Sequence, residues 1–396
     1  MIARAARAPS FALARAPSFA LARAPSFALA RALAVTLAVS VPISLAGCGP
    51  KGDRVFAARM ASAEACRGDV DKAVALFDEA ARGATRAGDA MLALEAGATR
   101  LERAERTAEA LGRWDALRTD VRATATDKGS AALRIVALHE AIHGEKFGEK
   151  SDEKLVWLRA YVNHPAAPGV VRELLLARVS DDDRGALADE LLAPETMKPV
   201  WPWLRLEKAR IAARAGQKRH AMEALEALAA DEAYAHGVLF DDALDEASVL
   251  ALQLGDRERA LAILDRAADA RESAWFVGSA NRPKFAGIFL RRARIEPTPA
   301  MARKAYREFL DAMPEAREAL EARYELGVLE AEAGHKKEAC DEARALKARG
   351  EGLLVAKCAH RFCAEVEGGR ASEKECVVLT DRADRDRLGG PRAPTE

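Results

Sequence analysis

His139-Glu140-Ala141-Ile142-His143 has the spacing of a zinc site. On a helix, residues four apart share a face. The two imidazoles would stand one turn apart to bind zinc, with the Glu140 carboxylate beside them to activate a water. A third ligand would have to be a distant carboxylate such as Glu173. Six cysteines form the other reactive set: Cys48, Cys66, and a C-terminal cluster of Cys340, Cys358, Cys363 and Cys376.

The histidine string resembles the zincin peptidase signature. Family members carry an apolar residue two places after the second histidine, where this chain has Glu145, and the charged run Gly144-Glu145-Lys146 comes at once after His143. No glycine-and-histidine continuation of the metzincin kind is present. The expectation is therefore a solvated helix face with no catalytic residue, no metal and no cofactor. The alternative is a zinc peptidase with His139 and His143 as ligands and Glu140 as base.

The cysteines suggest covalent staples. Gly368-Gly369 reads as a turn, with Cys363 before it and Cys376 after it, so the two can face each other across a helical hairpin. Cys340 and Cys358 are left to bridge the turn around Gly350-Glu351-Gly352. The expectation is Cys363–Cys376 and Cys340–Cys358, with zinc near His360 as a weaker possibility because no short C-x-x-C pair exists. Cys66, among small apolar residues, reads as a buried free thiol.

Cys48 has another role. Residues 1–47 hold Arg4, Arg7, Arg15, Arg23 and Arg31 and no acidic residue, then run into the apolar stretch Leu33 to Ala46. A basic segment leading into an apolar one is the build of a signal peptide, and this apolar stretch is too short and too interrupted to be a good spanning helix. ARAPSFAL occurs three times in succession, at 6–13, 14–21 and 22–29, a tandem duplication and not a folded element. At the end stands Leu45-Ala46-Gly47-Cys48, which resembles the lipobox of bacterial lipoproteins. The resemblance implies cleavage before Cys48, acylation of its thiol and amine (diacylglycerol and palmitate), and residence in the cell envelope. By a rule of that family, Gly49 in place of aspartate favours the outer membrane.

Without the leader, 56 basic residues face 61 acidic ones, a net charge of about −5. No concentrated basic surface is evident, which argues against nucleic acid as a partner. Half the chain is hydrophobic but only 5% is aromatic, because alanine supplies much of the apolar content. Such a chain suits closely packed helices.

The helices repeat. A small residue, a glycine seven places on, and apolar residues five, nine and twelve places after the glycine describe Ala61, Gly68, Ala73, Phe77, Ala80. The same spacing describes Ala209, Gly216, Ala221, Leu225, Leu228; then Ser248, Gly255, Ala260, Leu264, Ala267; and Gly327, Gly334, Ala339, Ala343, Leu346. Gly112, Leu117 and Val121 keep only the middle, with Glu105 and Thr124 breaking the ends. Ala293, Ala305, Phe309 and Ala312 lack the glycine. Each copy reads as a helical hairpin whose glycine ends the first helix and whose apolar set is one stripe of the second.

Ala305 to Leu346, with Pro314 after the helix, resembles the tetratricopeptide repeats of bacterial envelope lipoproteins. The fold expected is an all-α, tetratricopeptide-like helical-hairpin solenoid with irregular repeats. Its parts are the signal peptide at 1–47, a tether at 48–55, an N-terminal repeat region at 56–195, C-terminal repeats at 201–350, a cysteine-bearing hairpin cap at 351–387 and a frayed tail at 388–396. The proline-rich run Ala193 to Pro202 marks the main internal boundary. Trp201, Trp203 and Trp275 either line a peptide groove or fill the core where the register changes, and the second is the expectation. The resemblance implies a lipid-anchored, periplasm-facing scaffold for other envelope proteins or peptides.

Overall fold

The computed structural model describes residues 53–143, 153–231, 239–269, 283–350, 352–365 and 370–390. Contacts divide the chain between Arg54 and Val55, and the helical array is the unit that begins at Val55. Cys48 and the leader lie outside the described residues.

Among the described residues there are eighteen α-helices and no strand. In order they are α1 (Arg54–Ala65), α2 (Val70–Gly83), α3 (Ala87–Arg103), α4 (Thr107–Thr119), α5 (Ala125–His143), α6 (Glu153–Ala160), α7 (Ala167–Leu176), α8 (Asp181–Leu192) and α9 (Trp201–Arg214). Next come α10 (Lys218–Ala230), α11 (Phe240–Gln253), α12 (Arg257–Asp269), α13 (Pro283–Arg294), α14 (Pro299–Ala312), α15 (Glu318–Glu332), α16 (Lys336–Gly350), the short α17 (Leu354–Lys357) and α18 (Glu373–Arg387). Consecutive helices pack on one another, as the hairpin pattern requires.

The repeat glycines do what their spacing predicts. Gly216, Gly255 and Gly334 have φ of +82°, +78° and +83°. In each turn the next residue donates its N–H to a carbonyl five back: Gln217 to Ala212 at 2.9 Å, Asp256 to Ala251 at 2.9 Å and His335 to Glu330 at 2.8 Å. This closes the first helix of each hairpin and satisfies a carbonyl that would otherwise face nothing. The stripes are buried as expected; Ala221, Ala260, Leu264, Ala267, Ala339, Ala343 and Leu346 are fully enclosed.

One register needs correction. Gly112 lies inside α4 and ends nothing. The turn between α3 and α4 is made by Glu105, at φ +60°, and Arg106 donates to Leu101 across it at 3.0 Å. The true copy is Ala98, Glu105, Ala110, Trp114, Leu117, with all four outer residues buried. The spacing holds, but a glutamate stands in the glycine place, so a search keyed on glycine misses it. Gly68 joins α1 to α2 without a left-handed residue.

The Ala193–Pro202 run is a packed corner. Glu195–Val200 forms a 3-10 helix, Met197 and Val200 are buried, and Pro202 starts α9. Residues 153–204 share a core of Leu158, Val171, Leu191, Leu204 and neighbours, with Ala132 and Leu133 of α5 packed against it.

The cysteine cap also departs from expectation. The bonds are Cys340–Cys363 and Cys358–Cys376, with Cα atoms 5.0 and 5.7 Å apart, and not Cys363–Cys376 and Cys340–Cys358. The expected pairing assumed one helix leading up to Gly368-Gly369. Instead the chain makes only α17 and a 3-10 turn over Ala359–Arg361. This compact double turn sends Cys363 back to α16 and leaves Cys358 facing α18. Phe362, carried on the same turn, lies over Gly327 of α15, where a β-carbon would stand 2.4 Å from its ring. The small residue of that repeat thus admits the cap. Cys66 is half-buried and unbridged.

Candidate functional site

The histidine string sits at the end of α5, and α6 and α7 supply its neighbours. His139 Nδ1 lies 3.1 Å from Glu153 Oε2. Glu140 lies 2.9 Å from the Lys154 ammonium, which is also 2.9 Å from Glu173. Glu140 and Glu173, the base and the distant ligand of a zinc site, do converge, but the cation between them is Lys154. Burial works against the lysine's charge, yet the two carboxylates raise its pKa above the ordinary value. An ammonium in that position repels a divalent ion and holds Glu140 as an ion-pair partner. The His143 side chain lies outside the described residues.

Among the described residues, Cys340, Cys363 and Glu365 form the one group close enough to hold a metal. Its two sulfurs are bonded to each other, so neither is a thiolate available to an ion. His360 Nδ1 is 2.8 Å from the carbonyl of Lys357.

The tryptophans divide. Trp201 is half-buried against the α6–α9 core, with the Lys198 nitrogen 5.6 Å and the Arg205 guanidinium 5.3 Å from its ring centre. Trp203, two residues on, borders an open cavity of about 440 Å³ between α7, α9 and the start of α11. Val171, Leu175 and Leu206 supply its apolar walls, and its polar side carries both signs, Arg172, Arg184 and Arg210 with Glu207 and Asp242, Arg210 being paired with Glu246 and Glu207. Leu176, also on the cavity lining, is 65% exposed. Trp203 thus packs partly against the core and also borders the cavity. Trp275 lies outside the described residues.

Sequence reasoning missed a buried charge cluster. Arg291 and Arg294, one turn apart on α13, are 2% and 7% exposed. Arg291 reaches Asp245 Oδ1 of α11 at 2.5 Å and Asp386 Oδ1 of α18 at 2.9 Å. Arg294 reaches Asp386 Oδ2 at 3.0 Å, Glu321 at 3.0 Å and Glu325 at 3.0 Å. Burial disfavours the Arg294 charge, but Glu325 and Asp386 more than reverse this and hold its pKa well above the usual value. Tyr306 donates to Glu325 at 2.6 Å, and its own burial, with that carboxylate beside it, keeps the phenol protonated. The available signal is three arginines, Arg291, Arg292 and Arg294, at the end of a helix with Phe285, Ile288 and Phe289 before them. Comparison with known proteins finds no family model that matches this chain and no similar curated protein.

Proposed function

We propose that the protein is a lipid-anchored, periplasm-facing scaffold of helical hairpins that binds a peptide segment of another envelope protein. The observation that carries this reading is the groove at Trp203: apolar walls, an aromatic edge and polar groups of both signs suit a side chain and its neighbouring backbone. Anchoring rests on the Leu45–Cys48 lipobox, and the surplus of acidic residues disfavours nucleic acid.

The test is a photo-crosslinking amino acid placed at Trp203 in living cells. The expected result is a discrete covalent adduct that is absent when the same group replaces Val121, which is 94% exposed and away from the groove. No adduct from either position, or identical adducts from both, refutes the groove. Loss of palmitate labelling in Cys48→Ser checks the anchor. About one zinc per purified chain, lost in a His139→Ala, His143→Ala variant, would replace the scaffold reading with the peptidase.

A further inference from the structure

Most helices rest only on neighbours one or two places away in the chain, whereas α18 packs on α17 and on a distant helix as well. It crosses back to α13 from 95 residues further on, measured from Arg291 to Asp386. Its buried stripe is narrow: Cys376, Leu379, Ala383 and Asp386, ending at Gly389. Of these, Cys376 and Leu379 belong to the cap core with Tyr324, Leu346 and Val355, which leaves Ala383 and Asp386 as the buried side chains of the far half of the helix. The remaining hold is polar. Asp386 lies between two guanidinium groups, the Gly389 carbonyl accepts from Gln253 Nε2 at 2.7 Å, and Arg387 Nε donates to the Arg294 carbonyl at 3.2 Å.

The charges beneath α18 do not need it. With Asp386 gone, Arg291 still has Asp245, and Ser248 at 3.3 Å, while Arg294 still has Glu321 and Glu325. Lifting the helix strands no cation, and Asp386 itself goes into water. The usual penalty for breaking a buried ion pair, an unpaired charge left inside, is therefore avoided. Covalent restraint acts at the other end. Cys376 is bonded to Cys358, and the ten residues from there to Asp386 place the two holds about 15 Å apart along the helix.

We infer that the C-terminal half of α18 is a hinged intramolecular stand-in for a partner helix: the Arg291–Arg294 socket accepts a helix presenting a small residue and a carboxylate three places apart, and α18 occupies it until such a helix displaces it. The inference rests on the reading of the chain as a partner-binding scaffold but concerns a second place on it, so failure of the Trp203 crosslink leaves it standing. The hinge end stays bonded, and Asp386 is exchanged for the carboxylate of the incoming helix.

The test uses the oxidised chain with Cys48→Ser and a fluorescent peptide of residues 372–390 carrying Cys376→Ser. The peptide is expected to bind a chain carrying Asp386→Asn at least about tenfold more tightly than the unaltered chain, a weakening of the latch by about 1.4 kcal/mol. A peptide that itself carries Asp386→Asn should lose that binding. Equal binding to both chains, no binding to either, or indifference to the peptide's carboxylate overturns the inference. Hydrogen exchange on the chain without Asp386→Asn is independent of how that variant folds. Amides of residues 377–388 should exchange at least about a hundredfold faster than those of α13 and α15. Equal protection in all three helices overturns it.

Discussion

Replacing Glu105 with glycine should stabilise the protein, although it removes a side chain. Glu105 is exposed at φ +60°, in the place that Gly216, Gly255 and Gly334 fill elsewhere. A left-handed conformation costs a residue with a β-carbon about 1–2 kcal/mol, and a glycine gives back about 0.5–1 kcal/mol by loosening the unfolded chain. The net expected for Glu105→Gly is a gain of about 0.5–1 kcal/mol. The mirror experiment is Gly255→Ala. A β-carbon there meets nothing within 4 Å, so its cost is purely conformational, about 1 kcal/mol. Stacked hairpins need not melt as one two-state unit, so the local free energy is best read from hydrogen exchange at the end of α3 and the end of α11. Protection should rise about two- to fivefold in the first case and fall about fivefold in the second. Reduced protection in Glu105→Gly, or no loss in Gly255→Ala, would refute the view that backbone conformation selects the residue at these turns.

The cap offers further tests. Gly327→Ala should destabilise by about 1–2 kcal/mol by pushing on Phe362, and Phe362→Leu in the same chain should recover much of it, as thermal melting would show. Digestion without reduction should yield linked peptides Cys340–Cys363 and Cys358–Cys376. Loop closure over separations of 23 and 18 residues makes each bond worth about 3 kcal/mol alone, measurable by denaturation of the paired serine variants. Ser372 holds the Glu375 pKa below the ordinary value through the capping box of α18. A lowered carboxyl stabilises the fold above its unfolded pKa, and that contribution disappears as pH falls through the folded value. Glu375→Gln should therefore flatten the acid side of the stability profile below about pH 4.

The hairpins were legible because their signal is local: small residue, glycine and apolar stripe recur at fixed intervals, and each acts within one helix pair. Glu105 hid one copy because backbone geometry, and not residue identity, defines the turn. Cysteine pairing depends on the path of residues 352–363, which fold as a double turn that the chain's composition does not announce. Arg291 and Arg294 were invisible for a different reason. Their carboxylates come from Asp245, Glu325 and Asp386, far apart in sequence, and a charge on an apolar helix says nothing of what will meet it. At His139–His143 the helical spacing is local and visible in the sequence, but Lys154, which pairs with Glu140, belongs to the next helix.

The return of α18 changes how the array comes apart. Stacked hairpins that touch only their neighbours yield one at a time, like a zipper, from whichever end is loosened first. The stretch before α11 has that character. Beyond it, Asp386 is bound to Arg291 and Arg294, which are bound to α11 and α15, while the disulfides tie α18 through α17 to α16. These bonds close the last third of the molecule into a ring, in which no helix between α11 and α18 is an end. Drawn out from its N-terminus, the chain surrenders its early hairpins in small steps, then meets a block that stays closed for as long as Asp386 sits between the two arginines and opens stepwise once α18 lifts.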